Sequence, residues 1–382
     1  HKTALSILRP TKRKFLSIFI GGRDIHQLGG IENYMYNLAT CLKNKGYEPV
    51  VFCESNRNEV EIVNGFKVVH NKSIGGRYLC KILLGHKATA MALFREREAK
   101  IYHYNGWGPA IASWIAALCG KTVIYQSHGL EWKRTKYTPL QQRIMKMMER
   151  LTVKVMKNIT AVSQEQTDFF FTCYGKTAVT IPTAVNLPGE NHESDILDKY
   201  GLMHEGYYLY LGRLVQDKNP DYLIKAFNKS GIKEKKLVIA GNNDQDLKYV
   251  DYLHKLASGN PNVIFTGAVY GNDKEKLLRN CFAFCLPSTL EGLPITLLEA
   301  MSHKRICLAS DIPANKEALG DSGVWVRYED DDDLCDKLLF ILKNHQALEI
   351  QKEKNYRRVV DNFTWSRVAD LYIQYIRKLA DD

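Results

Sequence analysis

Residues 281–301 of this chain of 382 residues read CFAFCLPSTLEGLPITLLEAM. The first six residues are apolar and predict a buried strand that ends at Pro287. The run from Ile295 to Met301 predicts a helix, and Pro294 stands where a proline suits the start of a helix. A strand, a short loop and a helix are the repeating unit of an α/β fold with a parallel sheet.

The same alternation of strand-like and helix-like segments runs through both halves of the chain. The predicted strands are 15–20, 48–53, 100–104, 122–126, 207–211, 236–240, 262–265, 281–286 and 306–309. Between the halves, residues 181–206 contain two prolines and a polar stretch, which predicts a linker. The pattern predicts two α/β domains with a cleft between them, and ligands are expected beyond the carboxyl ends of the strands.

The composition excludes several classes of protein. With 45% apolar and 10% aromatic residues, the chain is expected to be globular rather than disordered. Its nine cysteines include no C-x-x-C pair, so neither a disulfide framework nor a zinc site is indicated, and the cytosol is the expected compartment. No apolar run is long enough for a membrane span, and no G-x-G-x-x-G follows the first predicted strand.

The net charge of +11 belongs to one half of the chain. Residues 1–180 carry 27 basic and 12 acidic side chains, whereas residues 181–382 carry 26 and 30. This asymmetry predicts an anionic partner for the N-terminal half, either a membrane surface or a nucleic acid. No nucleic-acid-binding motif accompanies the charge, which favours the membrane.

Much of the surplus lies within residues 133–157. The segment 141–158 predicts a basic amphipathic helix. Its basic positions are Arg143, Lys146, Arg150, Lys154 and Lys157, and its apolar stripe is Ile144, Met147, Met148, Leu151 and Val155. Two interpretations stay open: the helix docks on anionic lipid, or its apolar stripe packs on the domain core and its basic face is merely solvated.

Glu291 and Glu299 flank the start of the helix predicted from Ile295. The first N–H groups of a helix form a site suited to a phosphate, and here they come from residues near Thr296 and Leu297. Two carboxylates beside such a site could hold a ribose and a transferred hexose. The alternative is that Glu291 is a solvated loop residue and Glu299 an ordinary helix former.

Residues 291–299 resemble the E-x7-E motif of retaining GT-B glycosyltransferases of the family 4 type. Three further stretches agree with this family in the expected order. Residues 21–32 (GGRDIHQLGGIE) are similar to its glycine-rich loop, residues 126–132 (QSHGLEW) to its strand-end histidine, and residues 211–220 (LGRLVQDKNP) to its G-R-L-x-x-x-K signature. Two departures stand out: residues 181–186 read IPTAVN where many relatives have IPNGVD, and the loop between Gly22 and Gly29 is longer and more charged than a minimal one.

The resemblance implies a role for each matching residue. Catalytic roles fall to His128, Arg213, Lys218 and Glu291. The implied donor-binding residues are Gly29, Gly30, Gly292, Leu293, Thr296, Leu297 and Glu299. Fixed positive charge at the diphosphate would replace a metal, so no metal and no cofactor is expected. The acidic run Asp330–Asp333 is expected to cap a helix rather than bind a metal.

The resemblance also implies a fold and a function. The expected fold is GT-B, with two Rossmann-like domains (1–185 and 186–362) facing each other across a cleft and a C-terminal helix (363–382) crossing back to the N-terminal domain. The expected activity is metal-independent, retaining transfer of a hexose from a nucleotide-diphosphate sugar to a lipid-linked glycan in polysaccharide biosynthesis. UDP-sugars are favoured, with GDP- and dTDP-sugars as alternatives, and the expected location is cytoplasmic, peripheral on the inner face of the membrane. Competing hypotheses are a non-catalytic membrane-binding module on a degenerate GT-B fold and a nucleotide-sugar epimerase.

Overall fold

The computed structural model describes residues 16–381, except residues 28, 73, 77, 78, 191 and 192. The chain forms two compact units. Among the described residues, unit 1 contains those up to Tyr125 together with Met156–Asn158 and those from Leu379 onward, and unit 2 contains those within Gln126–Val155 and Ile159–Lys378. The domain boundaries expected at 185/186 and 362/363 stay predictions, and residues 1–15 of the first predicted domain lie outside the described part of the chain.

Unit 1 alternates strands and helices. Its strands are β1 (Leu16–Gly21), β2 (Glu48–Ser55), β3 (Glu59–Val63), β4 (Phe66–Lys72), β5 (Ile101–Asn105) and the first part of β6 (Thr122–Ser127). Its helices are α1 (Gly30–Asn44), α2 (Leu79–Arg95), α3 (Trp107–Ala110) and α4 (Ser113–Leu118). The strands β3-β4-β2-β1-β5 are neighbours in that order, and all of these pairs are parallel except β3 with β4.

Unit 2 begins with the end of β6 and continues through Lys378 of α14, and the last residues of that helix belong to unit 1. Its helices are α5 (Pro139–Val155), α6 (Gln164–Tyr174), α7 (Ile196–Lys199), α8 (Pro220–Ser230), α9 (Leu247–Ala257), α10 (Gly271–Asn280), α11 (Ile295–Ser302), α12 (Pro313–Leu319), α13 (Asp331–Asn362) and α14 (Trp365–Asp381). Its strands are β7 (Asn158–Ala161), β8 (Val179–Thr180), β9 (Tyr207–Leu211), β10 (Lys236–Ala240), β11 (Val263–Gly267), β12 (Ala283–Leu286), β13 (Ile306–Ser310) and β14 (Val324–Val326).

The sheet of unit 2 is wholly parallel, in the order β11-β10-β9-β12-β13-β14. One apolar cluster covers each face, and β9 alternates between them: Leu209 joins one cluster, and Tyr208 and Tyr210 join the other. The chain runs outward from β9 in one direction through β11, and in the other from β12 through β14. The order therefore reverses between β9 and β12, and a crevice for a ligand forms at the carboxyl ends of strands at such a point.

The structure confirms two α/β Rossmann-like domains with parallel sheets and adjusts some element bounds. The strand predicted from Cys281 begins at Ala283, the first residue in register with Tyr208 of β9. The basic helix spans Pro139–Val155, so Lys157 lies beyond its end. Asp330 caps α13 by accepting the N–H of Asp333 at 2.9 Å, which confirms the capping interpretation of the acidic run.

Candidate active site

Lys218 and Glu291 form an ion pair in unit 2. Lys218 ends a short 3₁₀ turn after β9, and Glu291 lies in the loop after β12. Lys218 Nζ lies 2.8 Å from Glu291 Oε1, and the Ser288 hydroxyl donates to the same oxygen at 2.7 Å. The two charged side chains are only 15% and 10% exposed. Both loops belong to the point where the strand order reverses, so the pair stands where the fold favours ligand binding.

Asn219 locks these two loops together. It adopts a left-handed conformation with φ of 52°, which an asparagine tolerates better than most residues. Its side-chain amide donates to the Pro287 carbonyl at 2.9 Å and to Thr289 Oγ1 at 2.8 Å. The Thr289 N–H in turn donates to the Asp217 carbonyl at 2.8 Å. These bonds fix the ends of the segments that carry the ion pair.

Helix α11 starts beside Glu291. Its first intrahelical hydrogen bond runs from the Leu298 N–H to the Pro294 carbonyl, so the N–H groups of Thr296 and Leu297 precede the regular ladder. Thr296 is half-buried, Leu297 is buried, and Leu293 is packed in the core below the loop. The second glutamate of the motif, Glu299, is paired with Lys274 of α10 at 2.6 Å. The helix start predicted near Thr296 is therefore present, with Glu291 in the loop before it and Glu299 within the helix, and its role as a phosphate site stays a prediction.

His128 and Gly129 pass directly beside the Glu291 loop. A Cβ atom on Gly292 would lie 2.8 Å from the His128 carbonyl oxygen, so only glycine permits this approach. Burial lowers the pKa of His128 to about 3, so its imidazole is neutral at physiological pH. Unit 2 thus brings together His128, Lys218 and Glu291.

Glu131, Arg134 and Lys136 belong to the same region. From the sequence, Arg134 and Lys136 were expected only as part of the basic cluster 133–157 that faces a membrane, and Glu131 had no predicted role. Glu131 pairs with Arg134 Nε at 2.7 Å and with Lys136 Nζ at 2.8 Å, and it accepts the Tyr137 hydroxyl at 2.8 Å. Burial alone would raise the pKa of Glu131, but Arg134 and Lys136 overcome this and lower it to about 2. Thr135 Oγ1 donates to Asp217 Oδ1 at 2.7 Å, which ties the segment to the Lys218 turn.

Arg213 differs from His128, Lys218 and Glu291 because it is exposed. Its carbonyl accepts the Tyr210 hydroxyl at 2.8 Å, so its backbone is anchored at the end of β9. The backbone of Arg213 is therefore fixed, while its guanidinium is accessible to solvent near the point where the strand order reverses between β9 and β12.

Gly29 and Gly30 lie in unit 1, where they lead into α1. A Cβ on Gly29 would lie 1.9 Å from Glu32 Oε2, so a glycine is required there, whereas Gly30 meets nothing within 4 Å. Glu32 is 4% exposed and accepts the Arg23 N–H at 2.6 Å. This carboxylate therefore holds the glycine loop in place, a role beyond that of an ordinary first-turn carboxylate.

Among the described residues, no helix is both long enough and apolar enough to cross a lipid bilayer.

Comparisons with known proteins cover most of the chain. Residues 28–187 match the family described as Glycosyltransferase Family 4, and residues 194–358 match Glycosyl transferases group 1. The chain is 25% identical to the UDP-Gal:alpha-D-GlcNAc-diphosphoundecaprenol alpha-1,3-galactosyltransferase of Escherichia coli, over 74% of this chain and 78% of that protein. It is 24% identical to the O-antigen chain mannosyltransferase C of Escherichia coli, over 92% and 95% of the two chains.

The fold is similar to that of solved structures. Sucrose-phosphate synthase from Thermosynechococcus elongatus superposes with a TM-score of 0.83 at 17% identity, over 97% of this chain and all of that one. A likeness at this identity shows the fold, while the two family matches show the kind of enzyme. The chain therefore belongs to the GT-B glycosyltransferases of the family 4 type.

Proposed function

We propose that this glycosyltransferase transfers a hexose from a nucleotide-diphosphate sugar to a hydroxyl of a lipid-linked glycan in polysaccharide biosynthesis. The transfer retains the anomeric configuration and needs no metal. UDP-sugars are the favoured donors, with GDP- and dTDP-sugars as alternatives.

The Lys218–Glu291 pair beside the start of α11 carries this proposal. A diphosphate leaving group gains negative charge as the glycosidic bond breaks, and preorganised positive groups stabilise that charge best in a site with little water. Lys218 is a cation on a short, locked turn, and the N–H groups of Thr296 and Leu297 add oriented donors. Arg213 contributes a second cation on the exposed side of the same strand end.

The proposed reaction needs no nucleophile from the protein. The acceptor hydroxyl attacks the anomeric carbon on the leaving-group face, the bond from that carbon to the phosphate oxygen breaks, and the departing phosphate oxygen takes the hydroxyl proton. Glu291 then has the role of a hydrogen-bond acceptor for the transferred hexose, and Glu299 that of an acceptor for the ribose. The neutral imidazole of His128 can donate a hydrogen bond to the sugar without adding charge.

The relatives support the substrate classes. The galactosyltransferase named above has a UDP-sugar donor and an acceptor on diphosphoundecaprenol in its name, and the mannosyltransferase acts on the O-antigen chain. For this chain we propose the same chemical classes: a nucleotide sugar as the donor, and a glycan on a lipid diphosphate as the acceptor.

We also propose that α5 docks the enzyme on an anionic membrane. The exposed side chains Leu140, Ile144, Met147, Leu151 and Val155 are 67%, 46%, 50%, 53% and 76% exposed. At about 100° per residue they form one stripe about 80° wide along the helix. These side chains do not pack on the domain core. The buried positions of α5 are instead Met145, Glu149, Thr152 and Val153.

Basic residues run along one side of this stripe. Arg143, Lys146, Arg150 and Lys154 are all exposed. A helix with an exposed apolar stripe and a basic flank matches the water–lipid boundary of a membrane that contains anionic lipids. Each near-surface cation contributes about 1 kcal/mol on such a membrane. A lipid-linked acceptor would be delivered at the same surface.

A panel of nucleotides tests the donor assignment. Binding only to the folded state raises stability with the logarithm of ligand concentration. We expect UDP and UDP-sugars to raise the melting temperature of the wild type but not of Lys218→Ala, while Lys229→Ala, which removes an exposed lysine on α8, behaves as the wild type. No stabilisation by any nucleotide diphosphate would favour the non-catalytic module. Turnover of donor without acceptor would favour the epimerase.

A further inference from the structure

Four ionisable side chains of unit 1 converge at a place that the proposed reaction does not use. Asp24 and His26 lie in the loop between β1 and α1, Glu61 lies on β3, and His70 lies on β4. Glu61 Oε1 is 2.6 Å from His26 Nε2 and 2.8 Å from His70 Nε2. The other ring nitrogen of His70, Nδ1, is 3.7 Å from Asp24 Oδ2.

The contacts fix the orientation of the His70 ring. Glu61 Oε1 holds Nε2 at 2.8 Å, so the other ring nitrogen, Nδ1, lies on the side of Asp24 Oδ2, and the Cys53 sulfur is 3.5 Å from it. Nδ1 is therefore the His70 atom that faces the Asp24 carboxylate.

This arrangement has the chemistry of a metal site. One ligand atom each from Asp24, His26 and His70 can be chosen so that all lie within 4.8 Å of one another. Bonds of about 2.0 to 2.1 Å to a tetrahedral ion place ligand atoms about 3.4 Å apart, close to the 3.7 Å between His70 Nδ1 and Asp24 Oδ2. Metal-binding histidines usually donate their other N–H to a carboxylate, which Glu61 supplies here.

One side of this cluster is held by packing, and the other side is accessible to solvent. His70 is 1% exposed, so its ring is held by packing. Asp24 is positioned by the Ser55 hydroxyl at 3.0 Å and by the His26 N–H at 3.1 Å. The His26 side chain is 51% exposed, which leaves an ion a path of entry.

We propose that Asp24, His26 and His70 bind a divalent transition-metal ion of the zinc type, with Glu61 orienting both imidazoles. Such an ion joins the loop after β1 to β4, and Glu61 adds a contact from the edge strand β3. The long, charged form of this loop between Gly22 and Gly29 is then explained, since its additional residues supply two of the three ligands. The ion has a structural role and takes no part in the transfer step.

Metal titration of the full chain tests this proposal. After treatment with a chelator and dialysis, we expect one equivalent of Co²⁺ to give visible d–d absorption that Zn²⁺ abolishes, and Zn²⁺ to raise the melting temperature. His26→Asn and Asp24→Asn should lose both signals. Glu61→Gln should weaken Zn²⁺ binding by about 10-fold to 100-fold, as expected for a residue that orients ligands.

His204→Asn is the matched control, because His204 is an exposed histidine of unit 2 whose ring hydrogen-bonds only to Asn280 among the described contacts. It should bind both metals as the wild type does. His26 is exposed, so its replacement leaves the core intact and its circular dichroism should match the wild type. Absence of a metal response in the wild type, or equal binding by His26→Asn, would overturn the proposal. A stability that changes with pH and not with metal would do so as well.

Discussion

The turn at Lys218 and the helix α5 both carry basic charge, but they use it in opposite ways. Lys218 is 15% exposed and paired with Glu291 at 2.8 Å. On α5, by contrast, Arg143, Arg150 and Lys154 are exposed and lie beside an exposed apolar stripe. A partly buried cation such as Lys218, held by an ion pair, is suited to a small anionic ligand that takes the place of the paired carboxylate. Charge left on a solvent-facing helix is suited to a large anionic surface.

Removing the paired charge should have the largest effect. Lys218→Ala is expected to lower kcat/KM by about 10² to 10³, the usual loss when one preorganised electrostatic group is removed. It also leaves Glu291 without its cation, so the free energy of unfolding should fall. Steady-state kinetics and denaturant unfolding measure the two effects, with Lys229→Ala as the control. Unchanged activity in Lys218→Ala would remove this side chain from the reaction.

Glu149 is a buried carboxylic acid on the inner face of α5, and its ionisation should make the free energy of unfolding depend on pH. Burial raises its pKa to about 7, although Trp132 and Tyr174 donate to its carboxylate at 3.0 and 3.1 Å. The pKa of Glu149 in the folded state lies above its ordinary value. Its favourable contribution to the free energy of unfolding is therefore present at low pH and is lost as pH rises from about 4.5 to 7. The loss should approach about 3 kcal/mol in the free energy of unfolding.

Glu149→Gln should abolish this pH dependence, because the amide cannot ionise. Glu131→Gln is the counterpart: the pKa of Glu131 is lowered to about 2, so its contribution is present above about 4.5 and is lost as pH falls toward 2. Denaturant unfolding from about pH 2.5 to about pH 8 separates the two, because the Glu131 contribution changes below about 4.5 and the Glu149 contribution above it. The same pH dependence in Glu149→Gln and the wild type would show that Glu149 does not titrate in this range.

The exposed stripe of α5 should govern membrane binding. Ile144→Asp with Leu151→Asp is expected to weaken binding to phosphatidylglycerol vesicles at least about tenfold, since burying each apolar side chain is worth roughly 1.5 to 3 kcal/mol. Ile350→Asp is the control, because Ile350 is 64% exposed on α13. Co-sedimentation measures binding, and activity on a water-soluble acceptor should be unchanged. Equal binding by the double variant would contradict the membrane proposal.

The bond between Thr135 and Asp217 should have the smallest effect. Thr135→Val keeps the shape of the side chain and removes a 2.7 Å hydrogen bond to Asp217. The expected cost is about 0.5 to 1.5 kcal/mol in the free energy of unfolding. A variant as stable as the wild type would show that this bond does not hold the 128–137 segment to the Lys218 turn.

The sequence predicted the parts of the site that are local in the chain. The strand, loop and helix around Glu291 could be predicted because their apolar runs and Pro294 lie within a single segment. His128, Arg213 and Lys218 were assigned because their stretches resemble motifs of the family, and each of them follows a predicted strand. The pairing of Glu131 with Arg134 was missed, because Arg134 was counted with the membrane-facing charge of residues 133–157, although the charged run directly after His128 was a usable signal.

Features that depend on distant segments were not predictable. Periodicity marked α5 as amphipathic, but it does not say which apolar residues a core covers, and Met145 rather than Ile144 turned out to be buried. Cysteine and histidine spacing did not reveal the cluster of Asp24, Glu61 and His70, because it forms only when separate segments of the chain meet in one sheet region. The pairing of Glu299 with Lys274 is likewise a contact between two helices.

The anomeric configuration of the product tests the central proposal most directly. The wild-type enzyme would be incubated with a UDP-hexose and a lipid-linked acceptor in the presence of a chelator, and the new glycosidic bond examined by NMR. We expect transfer to proceed and the product to keep the α configuration of the donor. A β-linked product, or donor turnover without any glycosidic product, would contradict the proposed retaining transfer.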